Sequence, residues 1–147
     1  MMNRWVDINF IVVLAAVGLS NLCFSAVANS QTLTFDGDWN VVVDCAAAND
    51  GAKGYRWQFK ARVTKGSLHG QFGEVGLPAS GTLTGEVQKN GSALLRMKGL
   101  TGEPAYNVGK VAGGMPLYYT ANVQFKGSSG SGKRNETRSC TLGFSKI

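Results

Sequence analysis

The chain has 147 residues, and its 15 lysines and arginines exceed its 9 aspartates and glutamates, for a formal net charge of +6. This length suits one domain with a single core, and it excludes a two-domain enzyme, a polytopic membrane protein and a long helical rod. The 20 glycines are well above the usual share of about 7%.

The first 30 residues have the features of an export signal. Arg4 and the amino terminus form a short basic start, an apolar stretch over 10–24 follows, and residues 26–30 offer the small residues that a signal peptidase needs. The apolar stretch is shorter than the ~20 residues of a membrane-spanning helix, and Asn21 interrupts it. We therefore expect cleavage rather than a retained anchor, and a domain of residues 31–147 in the periplasm or outside the cell. Contact with a membrane would come only through an uncleaved leader.

Cys45 and Cys140 are the two cysteines that remain after the leader. In an oxidising compartment such a pair is expected to form a disulfide. The bridge would close a loop of about 95 residues, worth ~4.7 kcal/mol in the chain-entropy model. Two thiols without a supporting cluster of histidines or cysteines do not make a zinc site, so we predict neither a metal nor a cofactor.

Alternation of apolar and polar residues, broken by glycine turns, predicts antiparallel strands along the rest of the chain. The clearest case is the segment 55–63, in which every second residue is aromatic or aliphatic. The strong segments are 39–45, 55–63, 119–126 and 140–144, and the weaker ones are 67–72, 82–88, 93–98 and 105–110. Lys65-Gly66 and Asn90-Gly91 are hairpin signals. No segment has the 3.6-residue apolar period of a helix.

About eight short strands with one apolar face each cannot form a single open sheet, because that face would stay in water. We predict an all-β fold, an antiparallel eight-stranded up-and-down barrel, with a two-sheet β-sandwich as the alternative. Cys45 ends the first strand and Cys140 begins the last, and those ends lie side by side when an even-stranded barrel closes. The predicted loops are 73–81, 99–104, 111–116 and 127–132, the last a flexible glycine–serine connection.

The sequence gives little support for catalysis. His69 is the one histidine and falls on the polar face of a predicted strand. The acidic residues are scattered, and no nucleophile elbow, zinc-protease motif or Cys–His pair is present. We therefore predict that the protein is not an enzyme.

Basic residues form two groups that would suit anionic lipids, glycans or an acidic protein face, or would only keep the surface soluble. They are the outward stripe Arg56, Lys60 and Arg62, and the cluster Lys133, Arg134 and Arg138. Nucleic acid is not an expected partner, because export separates the protein from it.

Large side chains at inward positions would either fill the barrel or line a small cavity, and the sequence leaves both open. They are Trp39, Tyr55, Trp57, Phe59, Phe72, Met97, Tyr119, Phe125 and Phe144.

Gly37-Asp38-Trp39, at the start of the first predicted strand, resembles the GxW motif of calycin barrels. In lipocalins this tryptophan packs across the closed end beneath a basic residue from the last strands, and the resemblance gives that part to Arg138 or Lys146. The chain is also similar to bacterial metalloprotease inhibitors, which insert an N-terminal trunk into a protease cleft. Only residues 31–36 precede the motif here.

A larger part of the chain resembles a set of uncharacterised exported proteobacterial domains. The matching segments are 35–39, 54–55, 68–70, 91–93, 99–102, 127–132 and 140–142. The resemblance implies a compact exported domain and carries no known activity.

From these features we expect a monomer that binds a small hydrophobic or anionic ligand, or an envelope component. The ligand would lie at the open end of the barrel among the predicted loops 73–81, 99–104 and 111–116. The candidate contacts are Trp57, Tyr118 and Tyr119 for stacking, with Arg56 or Arg62 as a counter-charge if the binding surface is external. The alternatives are an inhibitor of a secreted hydrolase or protease, acting through its N-terminal segment or loops, and a structural envelope domain.

Overall fold

The structure is a computed structural model that describes residues 35–136 and 138–147. The predicted leader and residues 31–34 lie outside the described residues. In chain order the strands are β1 Gly37–Cys45, β2 Tyr55–Thr64, β3 Ser67–Phe72, β4 Ser80–Glu86, β5 Ser92–Leu100, β6 Pro116–Lys126, β7 Ser129–Arg134 and β8 Cys140–Lys146. Two short 3₁₀ turns, Pro104–Tyr106 and Val108–Lys110, lie between β5 and β6. Among the described residues no helix is long and apolar enough to cross a membrane.

The eight strands form a closed antiparallel up-and-down barrel, which confirms the predicted barrel over the sandwich. Each strand pairs with its neighbours in the chain, and β1 pairs with β8 to close the sheet. Cys45 and Cys140 lie directly opposite each other in this closing ladder and form the predicted disulfide, which spans 95 residues of sequence. The covalent bond therefore joins the first strand to the last.

Both predicted hairpin turns are present. Lys65 and Gly66 have φ angles of 51° and 82°, which are the left-handed values that a two-residue type I′ turn requires. At the second turn Gly91 has φ of 84°, and its N–H donates to the carbonyl of Gln88 at 2.8 Å. Glycine suits that position because a side chain is strained there.

The barrel has a closed end, and Trp39 fills it. The indole N–H of Trp39 donates to the carbonyl of Phe35 at 2.9 Å, and its ring meets Phe125 edge to face at 5.1 Å. All nine of the large side chains predicted to face inward do so; Tyr55 and Trp57 are half-buried, and the other seven are buried. The core therefore follows the two-residue alternation of the strands.

The opposite, open end carries the longer connections 46–54, 73–79 and 101–115 and the connection between β7 and β8. The predicted loop 73–81 is shorter than expected, because β4 begins at Ser80, whereas the loop predicted at 99–104 begins only after Leu100 and continues to residue 115.

The prediction of a flexible connection at 127–132 is wrong, because β7 runs through most of it. Gly130 and Gly132 lie opposite Phe125 and Val123 on β6 and share their inward face. A Cβ on Gly130 would lie 2.8 Å from the Phe125 ring, and one on Gly132 would lie 2.3 Å from the carbonyl of Asn122. Glycine thus lets β7 approach β6 closely while the β6 side chains fill the space.

The prediction of a strand at 105–110 is also wrong, because this segment forms the two 3₁₀ turns. Pro104 begins the first turn, and the amide of Asn107 donates to two backbone carbonyls at 3.0 and 2.8 Å, which folds the segment onto itself. The predicted number of eight strands is correct because this error and the one at β7 cancel.

Candidate functional site

The open end of the barrel contains a cavity of about 610 Å³, here called the cup. Its wall includes Tyr55, Trp57, Tyr106, Leu117, Arg134 and Arg138. These residues come from the starts of β2 and β6, the end of β7 and the neighbouring connections, so barrel closure brings distant parts of the chain together.

One side of the cup is aromatic. Tyr55 and Trp57 lie two residues apart on β2, so they share the inward face, and their ring centres are 4.8 Å apart. The ring centre of Phe72 lies 4.5 Å from that of Trp57 and 5.4 Å from that of Phe59. The aromatic surface therefore continues from the cup into the core.

The barrel is filled beneath the cup. Leu83, Leu95 and Met97 are fully buried, and Tyr119, two residues further into β6 than the wall residue Leu117, is 1% exposed. The two possibilities left open by the sequence therefore both occur, in different parts of one barrel: a packed core and a cavity at the open end.

Arg138 is buried in the wall of the cup, with only 4% of its surface exposed. Its Nε and Nη2 donate to the carbonyl of Ala46 at 3.1 and 2.8 Å, and its guanidinium also donates to the carbonyls of Lys53 and Tyr106. The guanidinium carbon of Arg138 lies 4.8 Å from the ring centre of Tyr55. Arg138 thus ties the β1–β2 connection to the loop between β5 and β6.

Arg134 is the second cation of the cup and is partly buried, with 12% of its side chain exposed. Its guanidinium carbon lies 4.4 Å from the ring centre of Tyr119, and its Nε is 3.9 Å from a carboxylate oxygen of Glu136. Among the described residues, the Nε of Arg134 and the hydroxyl of Tyr119 are buried without a hydrogen-bond partner.

Burial and charge shift the acidity of three groups near the cup. Burial raises the pKa of Tyr119 and, against the nearby arginines, that of Tyr55. Burial also disfavours the charge on Glu136, but hydrogen bonds from the Thr120 side chain and backbone outweigh it and hold the pKa of this carboxyl below its usual value. Both phenols are therefore protonated at neutral pH, and Glu136 is ionised.

The structure brings together some of the residues predicted to bind a ligand. Trp57 lines the cup, Tyr119 lies buried beneath it, and Arg56 reaches its rim, where it pairs with Asp44 at 3.2 Å. Tyr118 lies elsewhere, on the outer face of β6, and is 55% exposed.

Arg62 and His69 also lie away from the cup. Arg62 pairs with Asp38 at 2.8 Å on the outer face near the closed end, and His69 is exposed on the outer face of β3. Neither side chain contributes to the cavity.

Sequence reasoning missed Arg134 and Arg138 as residues of the cup, because it placed both in an exposed basic cluster. For Arg134 a signal was present: alternation from Gly130 through Gly132 puts it on the inward face, opposite the buried Ala121. Arg138 lies outside any strand, so alternation does not predict its burial.

Of the two basic residues that the calycin resemblance suggested over Trp39, the structure places Lys146 there. Its Nζ is 5.7 Å from the ring centre of Trp39. Arg138 lies instead at the opposite end of the barrel, beside Tyr55.

Within the described residues no three histidine, cysteine, aspartate or glutamate side chains lie close enough together to hold a metal ion. In comparisons with known proteins, no family model matches the chain, and no curated protein or solved structure gives a significant match.

Proposed function

We propose that this domain binds a small hydrophobic or anionic molecule in the cup, and that it does so as a monomer in the periplasm or outside the cell. The cup itself supports the proposal most. Its volume of about 610 Å³ lies within the range of roughly 300–1,000 Å³ that is typical of small-molecule sites.

The composition of the wall supports the same function. Ligand sites commonly combine a largely apolar surface with a few fixed polar groups. Here Tyr55, Trp57 and Leu117 supply the apolar part, and Arg134 and Arg138 supply positive charge. Such a surface suits a molecule with an apolar body and an acidic group.

The proposed location rests on the disulfide and the leader. A disulfide between Cys45 and Cys140 is suited to an oxidising compartment, and the first 30 residues have the pattern of an export signal.

The proposed inhibitor function draws less support from the structure. Phe35 is 9% exposed, and its ring centre lies 5.9 Å from that of Phe125. Asp36 accepts hydrogen bonds from the N–H groups of Lys65 and Gly66 at 2.8 and 3.0 Å. This part of the N-terminal segment is therefore fixed against the barrel rather than free to enter a cleft.

A fluorescence titration with 8-anilinonaphthalene-1-sulfonate, an aromatic anion, tests the proposal. We expect saturable enhancement at one probe per protein. Replacing Trp57 with Ala should weaken binding at least tenfold, because it removes the centre of the aromatic wall.

Tyr118→Ala is the matched control, because it removes an aromatic side chain from the outer face of the same barrel. It should leave probe binding unchanged. Absence of saturable binding to the folded wild type, or equal losses in the two variants, would contradict binding in the cup.

A further inference from the structure

The two arginines of the cup differ in how their hydrogen-bonding groups are used. Arg138 donates from Nε and from both terminal nitrogens to backbone carbonyls. Arg134 makes no comparable set of bonds; among the described residues its buried Nε has no hydrogen-bond partner. The hydrogen bonds of Arg138 therefore hold the loops, whereas Arg134 is a partly buried cation whose Nε has no hydrogen-bond partner among the described residues.

Glu136 does not satisfy Arg134. The closest approach of the two is 3.9 Å, which is an ion pair without a hydrogen bond. Both carboxylate oxygens of Glu136 instead accept hydrogen bonds from Thr120, from its N–H at 2.9 Å and from its hydroxyl at 2.7 Å. The carboxylate is thus held by β6, and Arg134 remains available.

A second donor lies beside Arg134. The hydroxyl of Tyr119 is buried and has no partner among the described residues, and the Tyr119 ring lies 4.4 Å from the guanidinium carbon of Arg134. Because burial raises the pKa of Tyr119, the phenol keeps its proton at neutral pH and can donate. Native proteins seldom leave two neighbouring buried polar groups unpaired.

These groups define what a ligand must offer. Two donors, one of them cationic, call for an anionic acceptor, and the planar guanidinium matches the two oxygens of a carboxylate. Glu103 on the wall and Glu136 near Arg134 would repel a second negative charge.

On this basis, and resting on the proposed function, we propose that the cup binds monocarboxylates with an aromatic or other apolar body. Arg134 in the wall of the cup holds the carboxylate, the Tyr119 hydroxyl buried beneath the cup is the second donor, and Tyr55 and Trp57 contact the body. Arg138 serves to position the loops around the ligand.

Isothermal titration calorimetry with 2-naphthoate and 2-naphthamide tests this inference, because the two probes have the same ring system and differ in charge. The wild type should bind the carboxylate at least tenfold more tightly than the amide. Arg134→Gln should remove this preference by weakening carboxylate binding far more than amide binding, and Tyr119→Phe should reduce the preference several-fold. Lys133→Gln is the matched control, because it makes the same charge change at the neighbouring, outward position of β7, and it should keep the full preference.

The outcomes separate this inference from the proposed function. Equal affinity of the wild type for the two probes, or a preference that survives in folded Arg134→Gln, would overturn the carboxylate site and leave a cup that binds apolar molecules. If the wild type binds neither naphthalene probe nor the anilinonaphthalene sulfonate, both proposals fail. The wild-type comparison decides the inference even if the Arg134 variant does not fold.

Discussion

Arg138 is a buried cation whose hydrogen bonds to described residues all go to backbone carbonyls. Replacing it with Met would leave the carbonyls of Ala46, Lys53 and Tyr106 without this donor. A hydrogen bond to a charged group contributes about 1.5–3 kcal/mol, so we expect the free energy of unfolding in urea to fall by about 3 kcal/mol.

Arg62→Met is the control for that substitution. Arg62 pairs with Asp38 on the outer face, where both side chains are largely exposed, and such pairs contribute no more than about 1 kcal/mol. Equal losses of unfolding free energy in the two variants would show that the hydrogen bonds of Arg138 do not stabilise the loops around the cup.

Tyr119 should make the protein sensitive to alkali. Burial raises its pKa in the folded protein, so the unfolded chain releases the proton first, near pH ~10. The contribution of this group is therefore complete below that pH and falls as pH rises above it. In Tyr119→Phe the decline in the free energy of unfolding above pH ~10 should be shallower than in the wild type. If the free energy of unfolding has the same pH dependence in both proteins, Tyr119 is not the group whose raised pKa causes the decline.

At the scale of one strand, the glycines of β7 allow it to pair closely with β6. Phe125 and Val123 of β6 occupy the space in front of Gly130 and Gly132, as when an aromatic ring covers a strand glycine. Arg134 is then the one inward position of β7 that carries a side chain. The glycines place the strand, and the strand places the arginine in the cup.

Gly132→Ala should therefore destabilise the barrel, because the new Cβ would lie 2.3 Å from the carbonyl of Asn122 and 2.6 Å from the Val123 side chain. Overpacking of this kind costs about 1–3 kcal/mol. Gly143→Ala on the neighbouring β8 is the matched control, since its Cβ would meet nothing within 4 Å, and thermal unfolding should show little change. A neutral Gly132→Ala would mean that the segment is the flexible connection first expected from its composition.

The elements that the sequence predicted well are those in which apolar and polar residues alternate clearly. The alternation in β2 and β6 places Tyr55, Trp57 and Tyr119 inside, and the two-residue turn at Lys65 and Gly66 follows from local geometry. β7 escaped prediction because its inward positions are filled by the side chains of another strand, so its own sequence carries little apolar signal.

The same limit applied to the candidate site. Trp57 lies within a strong alternating pattern that places it inside, whereas the burial of Arg138 depends on carbonyls from two distant connections. Tyr118 is predicted to contact the ligand by stacking together with Tyr119, but adjacent residues of a strand face opposite sides, so only one of the two can face inward.

For the molecule as a whole, the disulfide reinforces the seam at which the barrel closes. Cys45 and Cys140 are both 2% exposed and lie opposite each other in the β1–β8 ladder. Replacing both with Ala should lower the free energy of unfolding in urea by about 2–5 kcal/mol. The same urea midpoint in wild type, wild type with reductant and the variant would indicate that the bridge contributes nothing.

The interior of the barrel is divided between a packed core and an open cavity. The closed end is filled by Trp39, Phe35 and Phe125, while the open end holds the cup, with Arg138 buried and Arg134 partly buried in its wall. A filled lower barrel gives the cup a fixed base, so a ligand would meet a site that is largely formed in advance.

The most direct test of binding in the cup is native mass spectrometry of the protein purified gently from the envelope fraction of its source. We expect one retained small molecule of roughly a few hundred daltons per chain, which is released as a carboxylic acid on collisional activation. A bare polypeptide mass, or a stoichiometric complex with another protein in place of the small molecule, would contradict the account.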